Sequence, residues 1–131
     1  MTTKQNLAFV IEADADLAQI CEIALNSVGF DVETFVDGKR AYERLSVEPT
    51  PRLVLVDLQL PNVSGHEITW ELWFKTDSPR IIIIAPDKET ASIYKDKDGV
   101  DRVLIKPVSL EDLTRAVDPY LNPAHRGSYI Y

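Results

Sequence analysis

Apolar positions along the chain fall into two kinds of segment that take turns. Leu7 to Ile11, Leu53 to Val56 and Ile81 to Ala85 are short, almost purely apolar runs, the pattern of strands covered on both faces. Two weaker runs, Val32 to Phe35 and Arg102 to Ile105, bring the predicted strands to five. Between them the spacing turns helical. Leu17, Ile20, Cys21, Ala24, Leu25 and Val28 form one stripe, with Asp14 or Asp16 near its start and Gly29 just past its end. Asp37 and Gly38 open a second helix around Ala41, Tyr42 and Leu45, and the Glu-Pro-Thr-Pro stretch from Glu48 to Pro51 closes it.

A third helix is predicted from about Ser64 to Phe74. Gly65, Ile68, Thr69 and Leu72 share one face, and Trp70, Trp73 and Phe74 fall on the opposite side. Lys88 to Lys95 gives a fourth, on the partial stripe of Ala91, Ile93 and Tyr94. The fifth begins at Ser109, with Asp112 three residues on as a capping pair, and continues through Leu110, Leu113, Ala116 and Val117. Pro119 should bend or end it, and Asn122-Pro123 stops any continuation.

Five strands alternating with five helices imply a parallel sheet with helices on both faces, because each parallel connection needs a right-handed crossover. The fold class is therefore α/β: a flavodoxin-like three-layer sandwich with strand order 2-1-3-4-5. One domain is expected over residues 1–123, with a flexible C-terminal tail over 124–131 and no output domain after it. In such a sheet ligands bind outside the carboxyl ends of the strands, near the switch point between strands one and three.

Composition narrows the partners. The 14 Lys and Arg stand against 21 Asp and Glu, a formal charge of −7, which is the wrong sign for holding a nucleic-acid backbone. No apolar stretch approaches the ~18 residues of a membrane span, so a cytoplasmic protein is expected, without direct contact with nucleic acid or membrane. The one cysteine, Cys21, lies on the apolar stripe of the first helix and reads as core.

Chemistry concentrates at the carboxyl ends. Strand one ends in Glu12, Ala13 and Asp14, strand three in Asp57, and strand five in Lys106-Pro107. Carboxylates gathered on one rim repel each other unless a lysine or a divalent cation compensates. Such a cluster suits a magnesium and phosphate site, with Asp57 as candidate nucleophile toward a phosphoryl group. No glycine-rich loop follows strand one, and no Cys-His or Ser-His pairing is evident, so the chain does not read as an enzyme or flavin carrier.

The run Leu53-Val-Leu-Val-Asp57-Leu-Gln-Leu-Pro61-Asn-Val-Ser-Gly65 resembles the signature of response-regulator receiver domains, in which an apolar strand ends at the acceptor aspartate and a Pro and a Gly follow at these offsets. Gly99-Val-Asp-Arg-Val-Leu-Ile-Lys106-Pro107 resembles the segment that carries the family's lysine, and Val32-Glu-Thr-Phe-Val-Asp-Gly38 its second strand and turn. The resemblance spans roughly Asn6 to Leu121. It implies that Asp57 accepts the phosphoryl group, that Lys106 pairs with the phosphoryl oxygens, and that the backbone carbonyl of Gln59 helps hold Mg²⁺. It also implies a peptide bond before Pro107 that is often cis. The partners it implies are a histidine kinase or phosphotransfer protein and a downstream protein in a phosphorelay.

Three positions depart from that family. Its members end strand one with two adjacent acids, the second a direct Mg²⁺ ligand, where this chain has Glu12 and Ala13. Glu12 and Asp14 are the available substitutes, so Mg²⁺ is expected to bind weakly. The Ser or Thr at the end of strand four is replaced by Ile84, or by Ala85 in the adjacent register, and neither donates a hydrogen bond. The aromatic residue of strand five is replaced by Val103. These changes support a second reading: a pseudo-receiver that docks partners regardless of phosphate. Trp70, Trp73 and Phe74 would then form a partner surface, possible also between two copies. His66, beside the apolar face of the third helix, reads as packing.

Overall fold

The computed structural model describes residues 3–73, 78–97 and 99–125. Its strands are β1 (Thr3–Ile11), β2 (Asp31–Phe35), β3 (Thr50–Asp57), β4 (Arg80–Ala85) and β5 (Arg102–Ile105). Its helices are α1 (Ala15–Val28), α2 (Gly38–Leu45), α3 (Gly65–Trp73), α4 (Lys88–Tyr94) and α5 (Leu110–Leu121), with a 3-10 turn at Pro123–His125. All neighbouring strands pair in parallel in the order β2-β1-β3-β4-β5. The expected flavodoxin-like sheet, with its switch point between β1 and β3, is the one that forms.

Strand alternation sorts the core into two layers. Ala8, Val10, Leu53, Leu55, Ile82 and Ile84 pack against Cys21, Leu25, Leu113 and Val117 of α1 and α5. Leu7, Phe9, Ile11, Val54, Val56, Ile81 and Ile83 pack on the other face against Ala41, Leu45, Ile68, Leu72 and Tyr94 of α2, α3 and α4. Helix starts are fixed by side-chain caps: Asp14 for α1, Asp37 for α2, Asp87 for α4 and Ser109 for α5, the last with the reciprocal Asp112 contact of a capping box. Gly29 ends α1 at φ 112°, a left-handed conformation that glycine adopts without strain.

The elements depart from the sequence expectation at three places. β1 starts at Thr3 rather than Leu7, and β3 starts at Thr50, inside the stretch expected to be loop. The two polar ends hold each other: Thr3 pairs with Thr50 and Lys4 with Pro51, and the Thr3 and Thr50 hydroxyls lie 2.9 Å apart. β4 begins its pairing with β3 only at Leu53, so Pro51 sits where β3 has a neighbour on one side, the edge-like setting in which sheets tolerate proline. α5 runs through Pro119 to Leu121, because Ala116 and Val117 are buried against the sheet and the Asn122 N–H bonds the Asp118 carbonyl beyond the proline. Pro123–His125 turn where the tail was expected to begin, and residues 126–131 lie outside the described residues. No helix among the described residues is long and apolar enough to cross a membrane.

Candidate functional site

The same alternation that builds the α1/α5 layer carries the acids and the amine to one place. Ala8 and Val10 continue to Glu12, Leu53 and Leu55 to Asp57, and Leu104 to Lys106. Three strand ends therefore deliver polar groups with a common facing. The Lys106 ammonium lies 2.7 Å from Asp57 Oδ2 and 3.9 Å from Glu12 Oε1. Glu12 and Asp57 are each 1% exposed, while the Lys106 side chain keeps 27% of its surface. The amine is thus the pocket's wet side. The peptide bond between Lys106 and Pro107 is cis, and the Lys106 N–H is tied to the Ala85 carbonyl.

Asp57 is held by two partners. Oδ2 accepts from Lys106, and Oδ1 accepts from the Gln59 N–H at 2.9 Å. Burial pulls the Lys106 ammonium down, but the hydrogen bond to Asp57 and the charges of Glu12, Asp57 and Asp14 outweigh it, leaving the pKa above that of an ordinary lysine. Glu12 behaves oppositely. Burial, then the nearby Asp57 carboxylate, pushes its pKa up to about 8 against the pull of the Asp14 N–H and the Lys106 charge. Its Oε1 accepts from the Asp14 N–H at 3.1 Å, and its Oε2 is buried without a hydrogen-bond partner. Asp57 therefore acts on Glu12 through proximity rather than through a formed bond. Near neutral pH Glu12 holds a proton, and the pocket is one carboxylic acid beside one ion pair.

Asp14, one of the two acids expected near the start of the first helix, is the one that caps it. Its Oδ1 accepts from the N–H groups of Asp16 and Leu17, capping α1. Two orphan amides at a helix start thus engage one oxygen of the carboxylate also expected as a metal ligand. Among the described residues no three His, Cys, Asp or Glu side chains are grouped to hold a metal ion. What remains for a divalent cation is the orphaned Glu12 Oε2, an Asp57 oxygen and the Gln59 carbonyl. Mg²⁺ is commonly bound through one or two carboxylates and several waters. The set fits it, short of the carboxylate that Ala13 lacks.

The β3–α3 loop is clamped by two glycines. Gly38 donates to the Pro61 carbonyl at 3.2 Å, and a Cβ on Gly38 would meet the Val63 carbonyl oxygen at 1.8 Å. A Cβ on Gly65 would meet the Asp57 carbonyl oxygen at 2.1 Å. α3 thus begins directly against the backbone that presents Asp57. Gly65→Ala is expected to cost about 1–3 kcal/mol by forcing main chain apart. Urea unfolding measures the loss, and a change below ~0.5 kcal/mol would show that the contact yields freely.

Of the two candidates for the hydroxyl position, Ile84 is buried in the α1/α5 layer and Ala85 is the last residue of β4. Val103, partly buried, lines an open cleft of about 510 Å³ with Lys88, Ala91, Lys95 and Ile105. Trp70 is 53% exposed, as its placement opposite Ile68 and Leu72 implied. The Trp73 side chain and Phe74 lie outside the described residues. His66, exposed on one side, packs edge-on against the Tyr94 ring, and its Nδ1 lies 2.6 Å from the Tyr94 hydroxyl, joining α3 to α4. Sequence spacing gave no signal for that bridge, since its partners are 28 residues apart. Cys21 is fully buried, and burial, followed by the charges of Glu12 and Asp57, raises its thiol pKa to about 12.

Residues 8–118 match the family model described as the response regulator receiver domain. The chain is 32% identical over 104 residues to the response regulator ArlR of Staphylococcus saprophyticus, covering 79% of this chain and 47% of that protein. It is 29% identical over 119 residues to a probable transcriptional regulator, ycf27, of Porphyridium aerugineum, covering 91% and 49%. The chain spans about half the length of these curated relatives. Among solved structures, a response regulator receiver domain protein from Clostridium thermocellum superposes with a TM-score of 0.76 at 23% identity, covering 92% of this chain and 97% of that one. The receiver domain of Francisella response regulator 1452 gives 0.78 at 22%, covering 91% and 98%. These structures share the fold.

Proposed function

The chain belongs to the response-regulator receiver family of two-component signalling, and from that premise we propose that Asp57 takes a phosphoryl group from a histidine kinase or phosphotransfer protein. The observation that carries the reading is the 2.7 Å contact between the Lys106 ammonium after β5 and Asp57 Oδ2 at the end of β3, reaching past β4. An Asp57 oxygen attacks phosphorus on the donor's phosphohistidine, the P–N bond breaks, and an acyl phosphate forms while the departing imidazole takes up a proton. The Gln59 N–H keeps the carboxylate oriented through Oδ1. Lys106, with part of its surface in water, transfers its hydrogen bond from Oδ2 to the incoming phosphoryl oxygens and offsets their charge.

Glu12, Asp57 and the Gln59 carbonyl would hold Mg²⁺, which supplies charge neutralisation for the incoming group when bound. Replacing Ala13 by Asp is expected to tighten Mg²⁺ binding by about tenfold or more, measured calorimetrically, because a carboxylate joins a site that lacks one. Unchanged affinity would count against this pocket assignment. The readout differs from the family's usual route, since Ala85 has no hydroxyl to meet the phosphoryl group and Val103 no ring to follow it. Signal therefore reaches a downstream protein through Lys106 and the clamped β3–α3 loop. A cytoplasmic location suits this role. The docking-only reading has less support, because the Asp57–Lys106 pair that such a module would not need is present and bonded.

The test is incubation with acetyl phosphate and Mg²⁺ followed by intact-mass measurement. A mass gain of one phosphoryl group, absent in Asp57→Asn, is expected. An unmodified wild-type protein under conditions that label an ordinary receiver would overturn the proposal.

A further inference from the structure

The outward face of α3 carries Glu67, Trp70 and Glu71 at the i, i+3, i+4 spacing of helix neighbours, while Ile68, Thr69 and Leu72 of the same helix are buried. Across from it stands Tyr42 of α2. Together with His66 these residues line a groove of about 440 Å³. Its walls are aromatic and open, Tyr42 being 41% and Trp70 53% exposed. The two glutamates are exposed, and neither forms an ion pair with a described residue. Their like charges, one helical turn apart, repel. His66 is fixed by the Tyr94 hydroxyl, so one side of the groove is tied to α4.

We propose that this groove docks a basic segment of a partner protein, with an arginine stacked on the Trp70 indole and its guanidinium held by Glu67 and Glu71. An aromatic face flanked by carboxylates is complementary to a planar, delocalised cation in both stacking and charge. Other occupants fit poorly. An apolar helix would strip water from two carboxylates without replacing it, and a second copy presenting the same patch would set acid against acid. The chain's net charge of −7 points the same way. None of these residues belongs to the Asp57 pocket, so the inference goes beyond the phosphoryl reading and stands or falls apart from it.

The probe is an acetylated and amidated peptide of alternating Arg and Gly, titrated into isotope-labelled protein and followed by NMR, with a citrulline-for-arginine peptide as neutral isostere. The expected result is saturable shifts at the Trp70 indole N–H and the Tyr42 amide with the arginine peptide alone. Trp70→Ala should weaken binding about fivefold, and Glu67→Gln/Glu71→Gln by a similar factor. The double variant removes exposed carboxylates only, so it keeps the test alive if Trp70→Ala disturbs folding. Equal weakening by the remote pair Glu89→Gln/Glu111→Gln would reduce the effect to net charge and overturn the proposal. So would equal binding of the citrulline peptide, or a sedimenting dimer that Trp70→Ala dissolves.

Discussion

Replacing Lys106 by Met is expected to lower the stability of the protein by about 2–4 kcal/mol near neutral pH, less than the ~3–5 kcal/mol of a fully buried pair because the lysine keeps some water contact. The loss arises at Asp57, whose side chain is 2% exposed and would retain only the Gln59 N–H among its present partners. Glu12 already carries a proton there and adds little to the imbalance. The double variant Asp57→Asn/Lys106→Met removes both charges, so it should recover much of what the single variant loses. Denaturant unfolding of the four proteins closes the cycle. A double variant no more stable than Lys106→Met would mean that the lysine acts through packing of its stem rather than through the ion pair.

The second large effect is a dependence on pH set by Glu12. Its pKa rises from 4.5 in the unfolded chain to about 8 in the fold, so between those values the native state binds the extra proton. Stability from this group is fully present below pH 4.5 and falls as pH rises through the window, levelling off above about 8. A decline of about 2–4 kcal/mol from about pH 5 to about pH 9, in buffer containing a chelator, is expected from Glu12. Glu12→Gln, which keeps the shape and cannot ionise, should flatten that part of the curve. If the slope persists unchanged in the glutamine variant, Glu12 is charged in the fold at neutral pH and the picture of one acid beside one ion pair fails.

How much of this was legible in the sequence follows from the range of each cause. The five strands and five helices are written in local periodicity, and four of the caps in residues one or two places away. Asp57 and Lys106 could be paired because parallel topology sends all carboxyl ends to one rim. The misses are all non-local or competitive. The apolar pattern begins the first strand at Leu7, and only pairing with Thr50 and Pro51, some 47 residues on, makes a strand of Thr3 and Lys4. Asp14 or Asp16 could start the helix, and spacing alone does not say that the amides of Asp16 and Leu17 engage Asp14. Pro119 breaks a helix in isolation, while burial of Ala116 and Val117 carries this one past it. Glu12 read as a ligand at a strand end. Its burial, which makes it a proton holder, depends on layers of packing that no short window contains.

Cys21 lies under the pocket, wholly covered, with a thiol that two neighbouring acids and burial keep protonated. An alkylating reagent can reach it only when α1 lifts from the sheet, so the rate at which this one sulfur is modified is a clock for the opening of that layer rather than a measure of thiol reactivity. Phosphoryl transfer to Asp57, whose charge already acts on this thiol, would change the pace of that clock without the probe ever touching the acid.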